Sequence, residues 1–163
     1  MATVNLSNYD INSVPSAKGM KFGIVISEWN NDITEALYNG AYETLIKHGA
    51  NSEDIIKEYV PGAFELTFGA KMLAENHKLE AVIVLGCVIQ GETRHFDFIC
   101  EGVAVGITEI NRTLDTPIIF GVLTTDNQQQ ALDRAGGKLG NKGDEAGVTA
   151  IKMASFRNRQ IIK

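Results

Sequence analysis

Two spacings of apolar residues alternate along the chain. Four short runs rich in β-branched residues have the length of strands: Lys21–Ser27 (KFGIVIS), Asp54–Val60 (DIIKEYV), Ala81–Ile89 (AVIVLGCVI) and Pro117–Thr124 (PIIFGVLT). Between them the period lengthens. Ile33–His48 sets apolar or small residues at Ile33, Ala36, Leu37, Gly40, Ala41 and Leu45 on one helical face. Asp32, followed by Glu35, predicts a capping box at its start, and Gly49 predicts its stop. Ala63–Glu75 repeats the helical pattern, as does Phe96–Leu114 with Ile99, Val103, Ile107 and Ile110. Asn127–Ala135 and Asp144–Arg157 complete the set as two further helices.

Strand then helix, four times over, predicts right-handed βαβ crossovers. The expected fold class is α/β: a flavodoxin-like three-layer domain with a four-stranded parallel sheet and helices on both faces. Ala81–Ile89 is the most continuously apolar run and suits a central strand covered on both sides. Residues 1–18 fall outside the rhythm and are expected to form an N-terminal arm, mobile or laid on a neighbouring subunit. Residues 19–163 are expected to form a single domain.

Composition narrows the classes without changing the fold. The 163 residues are 44% hydrophobic and 21% charged, with 16 glycines and three prolines, as in an ordinary globular domain. The net charge is −5 and no basic block occurs, so nucleic acid is not an expected partner. No signal peptide and no membrane-length apolar run is present, which predicts a cytoplasmic protein with no membrane partner. Cys87 and Cys100 are too few for a disulfide framework and are expected to be free and buried. His48, His77 and His95 are scattered and lack metal-ligand spacing, so no metal is expected.

In open α/β sheets ligands bind beyond the carboxyl ends of the strands, so the four segments following the strands are read together. They carry Trp29, then Ala63, Phe64 and Glu65, then Gly91, Glu92, Thr93, Arg94 and His95, then Thr124 and Thr125. Trp29, the only tryptophan, either covers the sheet end or stacks on a planar ligand. Glu65 either complements a helix dipole or binds ligand hydroxyls. His95 either opens a helix or moves protons near neutral pH; Asp97 is a helix-start acid and is given no role. Gly91–Thr93 precede a helix whose free N–H groups suit an anion, although Glu92 opposes one unless turned away.

The stretch 134–143 (RAGGKLGNKG) has three basic residues and no acid, and is expected to be a cation-lined loop. It is not a Walker A loop, and no GxGxxG follows the first strand; a small phosphorylated metabolite fits better. A Cys87 nucleophile is disfavoured because the residue is embedded in its strand without a local base.

VPGAFE at 60–65, GCVIQGETRHFD at 86–97 and RAGGKLGNKG at 134–143 closely resemble, in order and spacing, the 6,7-dimethyl-8-ribityllumazine synthases. The similarity runs from about Lys21 to the C-terminus. It implies condensation of 5-amino-6-(D-ribitylamino)uracil with 3,4-dihydroxy-2-butanone 4-phosphate, the penultimate step of riboflavin biosynthesis. By resemblance Trp29 stacks on the pyrimidine. Ala63, Phe64 and Glu65 bind the ribityl chain, and Cys87, Val88 and Ile89 meet the uracil edge through their backbone. Gly91, Glu92, Thr93 and Arg134 bind the phosphate, Phe120 is supplied by the adjacent subunit, and His95 transfers protons. No cofactor is implied.

The resemblance further implies small-molecule substrates, a homo-oligomer with sites at subunit interfaces, pentamers, and riboflavin synthase as a candidate partner. The uninterrupted GGKLGNKG turn resembles members that close pentamers into an icosahedral shell. Two positions depart from the commonest pattern: Gln90 where arginine is frequent, with Arg94 gained, and Cys87 where threonine is frequent. A non-catalytic flavin or lumazine carrier and a generic phosphate-binding module are the rival readings.

Overall fold

A computed structural model describes residue 5 and residues 7–161. Four parallel strands, β1 (Phe22–Ser27), β2 (Ile55–Val60), β3 (Ala81–Ile89) and β4 (Ile118–Thr125), lie in the order β2-β1-β3-β4. The expected parallel sheet is present. β3 runs between β1 and β4, and its first seven residues are buried, as its unbroken apolar run requires. Side-chain alternation along the strands divides the core into two layers. Ile24, Ile26, Ile83 and Leu85 pack on one face against α1 (Asn31–Lys47), α4 (Gln128–Arg134) and α5 (Lys142–Ile161). Val25, Val82 and Val84 pack on the other against α2 (Leu66–Asn76) and α3 (His95–Thr113).

The element ends correct several expectations. Asp32 and Glu35 do not form a capping box: α1 starts after Asn30, whose left-handed backbone (φ 60°) caps it without a side-chain bond. Glu35 instead turns toward β2, where it meets Lys57 Nζ at 3.1 Å and accepts from the Tyr59 hydroxyl at 2.5 Å. Gly49 does stop the helix, with φ +101° and its N–H on Ile46 O at 2.9 Å. The second helix opens with a separate 3-10 turn, Ala63–Glu65, before α2 begins. Cys100 is only half-buried, while Cys87 is buried as expected.

One element went unforeseen. Between α4 and α5 the glycine-rich stretch forms a short antiparallel hairpin, β5 (Ala135–Gly137) with β6 (Gly140–Asn141). Gly136 and Gly140 take positive φ values of 105° and 82° there. The stretch assigned to an arm also lies on its own domain: Val14 and Ala17 join the core, and the Tyr9 hydroxyl meets His48 Nε2 at 3.1 Å. The arm's residues 1–4 and 6 lie outside those described. Among the described residues no helix is long and apolar enough to cross a membrane.

Candidate active site

The loop after β1 is drawn onto the loop after β2 by backbone bonds, Glu28 N–H to Val60 O at 2.9 Å and Trp29 N–H to Pro61 O at 3.2 Å. That brings the Trp29 ring over Gly62. A Cβ at Gly62 would lie 2.8 Å from Trp29 Cε3 and 3.1 Å from Glu65 Oε2, so ring and carboxylate share one ledge that only a glycine leaves open. The Gly62 N–H donates to Glu65 Oε2 at 3.1 Å, and the Glu65 N–H returns to Gly62 O at 3.3 Å. The acid is thereby held at the start of the 3-10 turn by a reciprocal pair of bonds. Trp29 is 67% exposed and Phe64 57% exposed, a large apolar area for one edge of a sheet. Phe64 also lies on Gly102 of α3, where a Cβ would come within 2.9 Å of its ring. Ala63 is buried, so it floors the ledge.

At the end of β3, burial pushes the Cys87 thiol up to about 11, which keeps it protonated and unsuited to nucleophilic attack near neutral pH. The Cys87 carbonyl accepts from Asn30 Nδ2 at 2.8 Å. Asn30 is a residue that sequence reasoning missed; its one signal was an asparagine just before a helix, the residue type that best tolerates the left-handed region. Val88 and Ile89 are half-buried beyond it. Gly91, Glu92, Thr93, Arg94 and His95 are all exposed, and a Cβ at Gly91 would meet nothing. α3 opens at His95, whose N–H reaches Thr93 Oγ1 at 3.4 Å, so the positive end of a 19-residue helix faces solvent beside the imidazole. Arg94 leans back toward Asp97, its Nε 3.5 Å from Oδ2.

Phe120 and Arg134 stand apart from this group. Phe120 lies five residues short of the carboxyl end of edge strand β4, roughly 16 Å down the strand at about 3.3 Å per residue. It lines a groove of about 510 Å³ with Lys142, Glu145, Thr149 and Met153. Arg134 is bound near the same groove, Nη1 on Leu139 O at 3.1 Å and Nη2 to Glu145 Oε2 at 3.3 Å. Lys142 Nζ meets the other oxygen of Glu145 at 2.6 Å, and Lys138 meets Asp133 at 3.0 Å. The cation-lined loop expected from 134–143 is therefore neutralised by acids just outside it, and hydrogen bonds from Lys138 and Gln129 hold the Asp133 carboxyl below its usual range. Lys142, counted in the sequence only among the three cations of the loop, and Glu145, given no role there, belong to this second cluster.

A cavity of about 680 Å³ lies at the opposite end of the sheet, lined by His77, Lys78, Asp115 and Arg157. α2 and α3 both end there; the dipole of α2 accounts for His77 and Lys78 beside its C-terminus, while Arg157 reaches in from α5. Among the described residues no group of three His, Cys, Asp or Glu side chains could hold a metal ion.

The family model of 6,7-dimethyl-8-ribityllumazine synthase matches residues 19–158. A protein of that name from Parabacteroides distasonis is 63% identical over 158 residues, 96% of this chain and 99% of the relative. Others of the same name come from Cytophaga hutchinsonii, 60% identical over 93% of this chain and 95% of the relative, and Phocaeicola vulgatus, 55% identical over 98% and 96%. With a family match over most of the length and identities this high, the chain belongs to the 6,7-dimethyl-8-ribityllumazine synthase family.

Proposed function

We propose that the Gly62 ledge and the start of α3 form one half of the site at which this enzyme condenses 5-amino-6-(D-ribitylamino)uracil with 3,4-dihydroxy-2-butanone 4-phosphate. The products are 6,7-dimethyl-8-ribityllumazine, phosphate and water. The observation that carries the reading is the shared ledge: an exposed indole and a fixed carboxylate 2.8 and 3.1 Å from one missing Cβ. Trp29 stacks on the pyrimidine, Glu65 accepts from the ribityl hydroxyls beside Phe64, and the backbone of Cys87, Val88 and Ile89 borders the uracil edge. Asn30 keeps the Cys87 carbonyl in place. Gly91, Glu92 and Thr93 offer the turn at the helix start to the phosphate.

The reaction needs protons moved at each step. The ring amine attacks the ketone carbon and loses a proton, and the resulting carbinolamine gives up water; phosphate departs, and ring closure expels a second hydroxyl as water. His95 sits exposed where it can give and take those protons, an effect typically worth about 10²–10⁴-fold. Holding two substrates together supplies much of the rest.

The other half of the site comes from a second copy. Phe120 and Lys142 line a groove that no ledge residue lines, Arg134 pairs with Glu145 of that groove, and Trp29, Phe64 and Phe120 are exposed aromatics that a neighbouring copy would cover. The assembly is thus a homo-oligomer with shared sites, a pentamer or a shell of pentamers, placed in the cytoplasm and feeding riboflavin synthase. His95→Ala tests the assignment in an absorbance assay for lumazine formation: turnover should fall by about 10²-fold without vanishing. A rate equal to wild type removes His95 from the mechanism.

A further inference from the structure

The hairpin that carries Arg134 has little of its own to hold it: β5 has three residues, β6 two, and two of those five are glycines at positive φ. Arg134, the last residue of α4, donates from Nη1 to Leu139 O at the hairpin's turn and from Nη2 to Glu145 of α5, so the hairpin supplies one of the two anchors of its guanidinium. The hairpin's turn is tied to α4 by the Leu139 N–H on Asp133 O at 2.9 Å and by Lys138 on Asp133 at 3.0 Å, and its returning strand is tied to the rest of the fold at Asn141. The Asn141 N–H donates to Ser7 Oγ at 2.7 Å, its Nδ2 donates to Ala36 O at 2.8 Å, and its Oδ1 accepts from the Gly143 N–H at 2.7 Å. These partners come from three separate segments: the N-terminal arm, the middle of α1 and the first turn of α5. Two glycines keep the amide close. A Cβ at Gly40 would come within 2.7 Å of Asn141 Cγ, and one at Gly143 would strike the Leu37 carbonyl.

The arm adds the outermost contact. Ser7 is held in shape by Asn5, whose Oδ1 accepts from the Ser7 N–H at 2.9 Å, and both side chains crowd the position where Gly140 lacks a Cβ. Without the arm, the backbone N–H of Asn141 loses its partner on the strand that returns from the Arg134 loop.

We infer that Asn141, latched by Ser7 of the N-terminal arm, is a positioning residue that sets the place of Arg134 and so the affinity for the phosphorylated substrate. The inference rests on the reading of Arg134 as the phosphate partner. It gives the arm a function within its own chain, and it makes the amide at 141 more than a support, because what it orients is a charge.

Steady-state kinetics on the full chain distinguish this from a merely structural role. In Ser7→Ala the KM for the butanone phosphate and the inhibition constant of inorganic phosphate should each rise on the order of 3- to 10-fold, the scale of one lost hydrogen bond. The KM for the pyrimidine should hold, the thermal midpoint should fall by no more than about 2–4 °C, and Ser7→Thr, which keeps the hydroxyl, should restore wild-type values. Asn141→Asp, of the same shape but unable to donate to Ala36 O, should shift the same two constants further. Equal movement of both KM values, or no movement in either, overturns the inference. Arg134→Ala is run beside them: if it raises the phosphate constants while Ser7→Ala and Asn141→Asp do not, only the positioning role falls. If Arg134→Ala leaves them unchanged, the phosphate reading falls and this inference with it.

Discussion

Gly62→Ala probes the ledge without replacing either side chain that was given a role there. The backbone at Gly62 is extended, φ −139° and ψ 176°, which alanine adopts freely, so no strain arises from the main chain. Alanine also restricts the unfolded chain, worth roughly 0.4–1 kcal/mol in favour of the fold. Against that, the new methyl would stand 2.8 Å from Trp29 Cε3, where ordinary contact begins at 3.4 Å. The ring must therefore retreat by about 0.6 Å or swing into solvent, which its 67% exposure allows at little cost. Stacking of a base on an aromatic ring is worth about 1–3 kcal/mol, and sub-ångström misplacement forfeits much of it. The expected result is a KM for ribitylaminouracil raised about 5- to 50-fold, with the melting temperature unchanged or slightly raised. Trp29 is the only tryptophan, so its fluorescence reports the displacement directly. Shifted fluorescence with an unchanged pyrimidine KM refutes the stacking role; loss of the melting transition would show that the ledge is structural.

Two further expectations concern burial. In a Cys100→Ser background Cys87 should resist a thiol reagent at pH 8 and react only after unfolding; because its folded value of about 11 lies above the ordinary 9.0, its contribution to stability is full below pH 9 and is lost as pH rises toward 11. Rapid labelling of the native protein would contradict the burial. Gly143→Ala should destabilise by ~3 kcal/mol or more in a denaturant titration, since the added methyl would collide with the Leu37 carbonyl in the α1–α5 packing, where no side-chain rotation relieves it. A midpoint within error of wild type would show that the two helices part easily.

What could be read from the sequence and what could not divide along physical lines. The strands and helices that bury a face were legible, because burial writes a period of 2 or 3.6 into the residues; Ile24 and Ile26 against Val25 is that signal inside β1. Ends set by backbone conformation were not. Asn30 caps α1 through a left-handed φ, and nothing in the spacing of Asp32 and Glu35 shows that Glu35 prefers Lys57 and Tyr59 across to β2. The β5–β6 hairpin buries almost nothing and so leaves no apolar period. The basic loop misled for a related reason: its counter-charges, Asp133 and Glu145, lie just outside the window in which the cations were counted. The resemblance gave Trp29, Glu65, His95 and Arg134 roles in one site and had Phe120 supplied by the adjacent subunit. Only the register of β4 separates Phe120 from the strand ends.

That separation makes a quantitative claim about mixed assemblies. If the site is shared between subunits as proposed, His95 and Arg134 serve one reaction from neighbouring copies. A chain with His95→Ala still offers an intact Arg134 to its neighbour, and a chain with Arg134→Ala still offers an intact His95. When the two variants are co-refolded in equal amounts and assemble at random, about one quarter of the sites pair two intact halves. At subsaturating butanone phosphate, where each variant alone is well below wild type, the mixture should recover roughly that share of wild-type activity. Simple mixing of preformed assemblies should not, because no halves are exchanged. If His95 and Arg134 instead met within one chain, every site in either preparation would carry one defect, and the co-refolded activity would be no more than the mean of the two variants. That outcome would return Arg134 to the ledge of its own chain, and Glu145 would then have to release it.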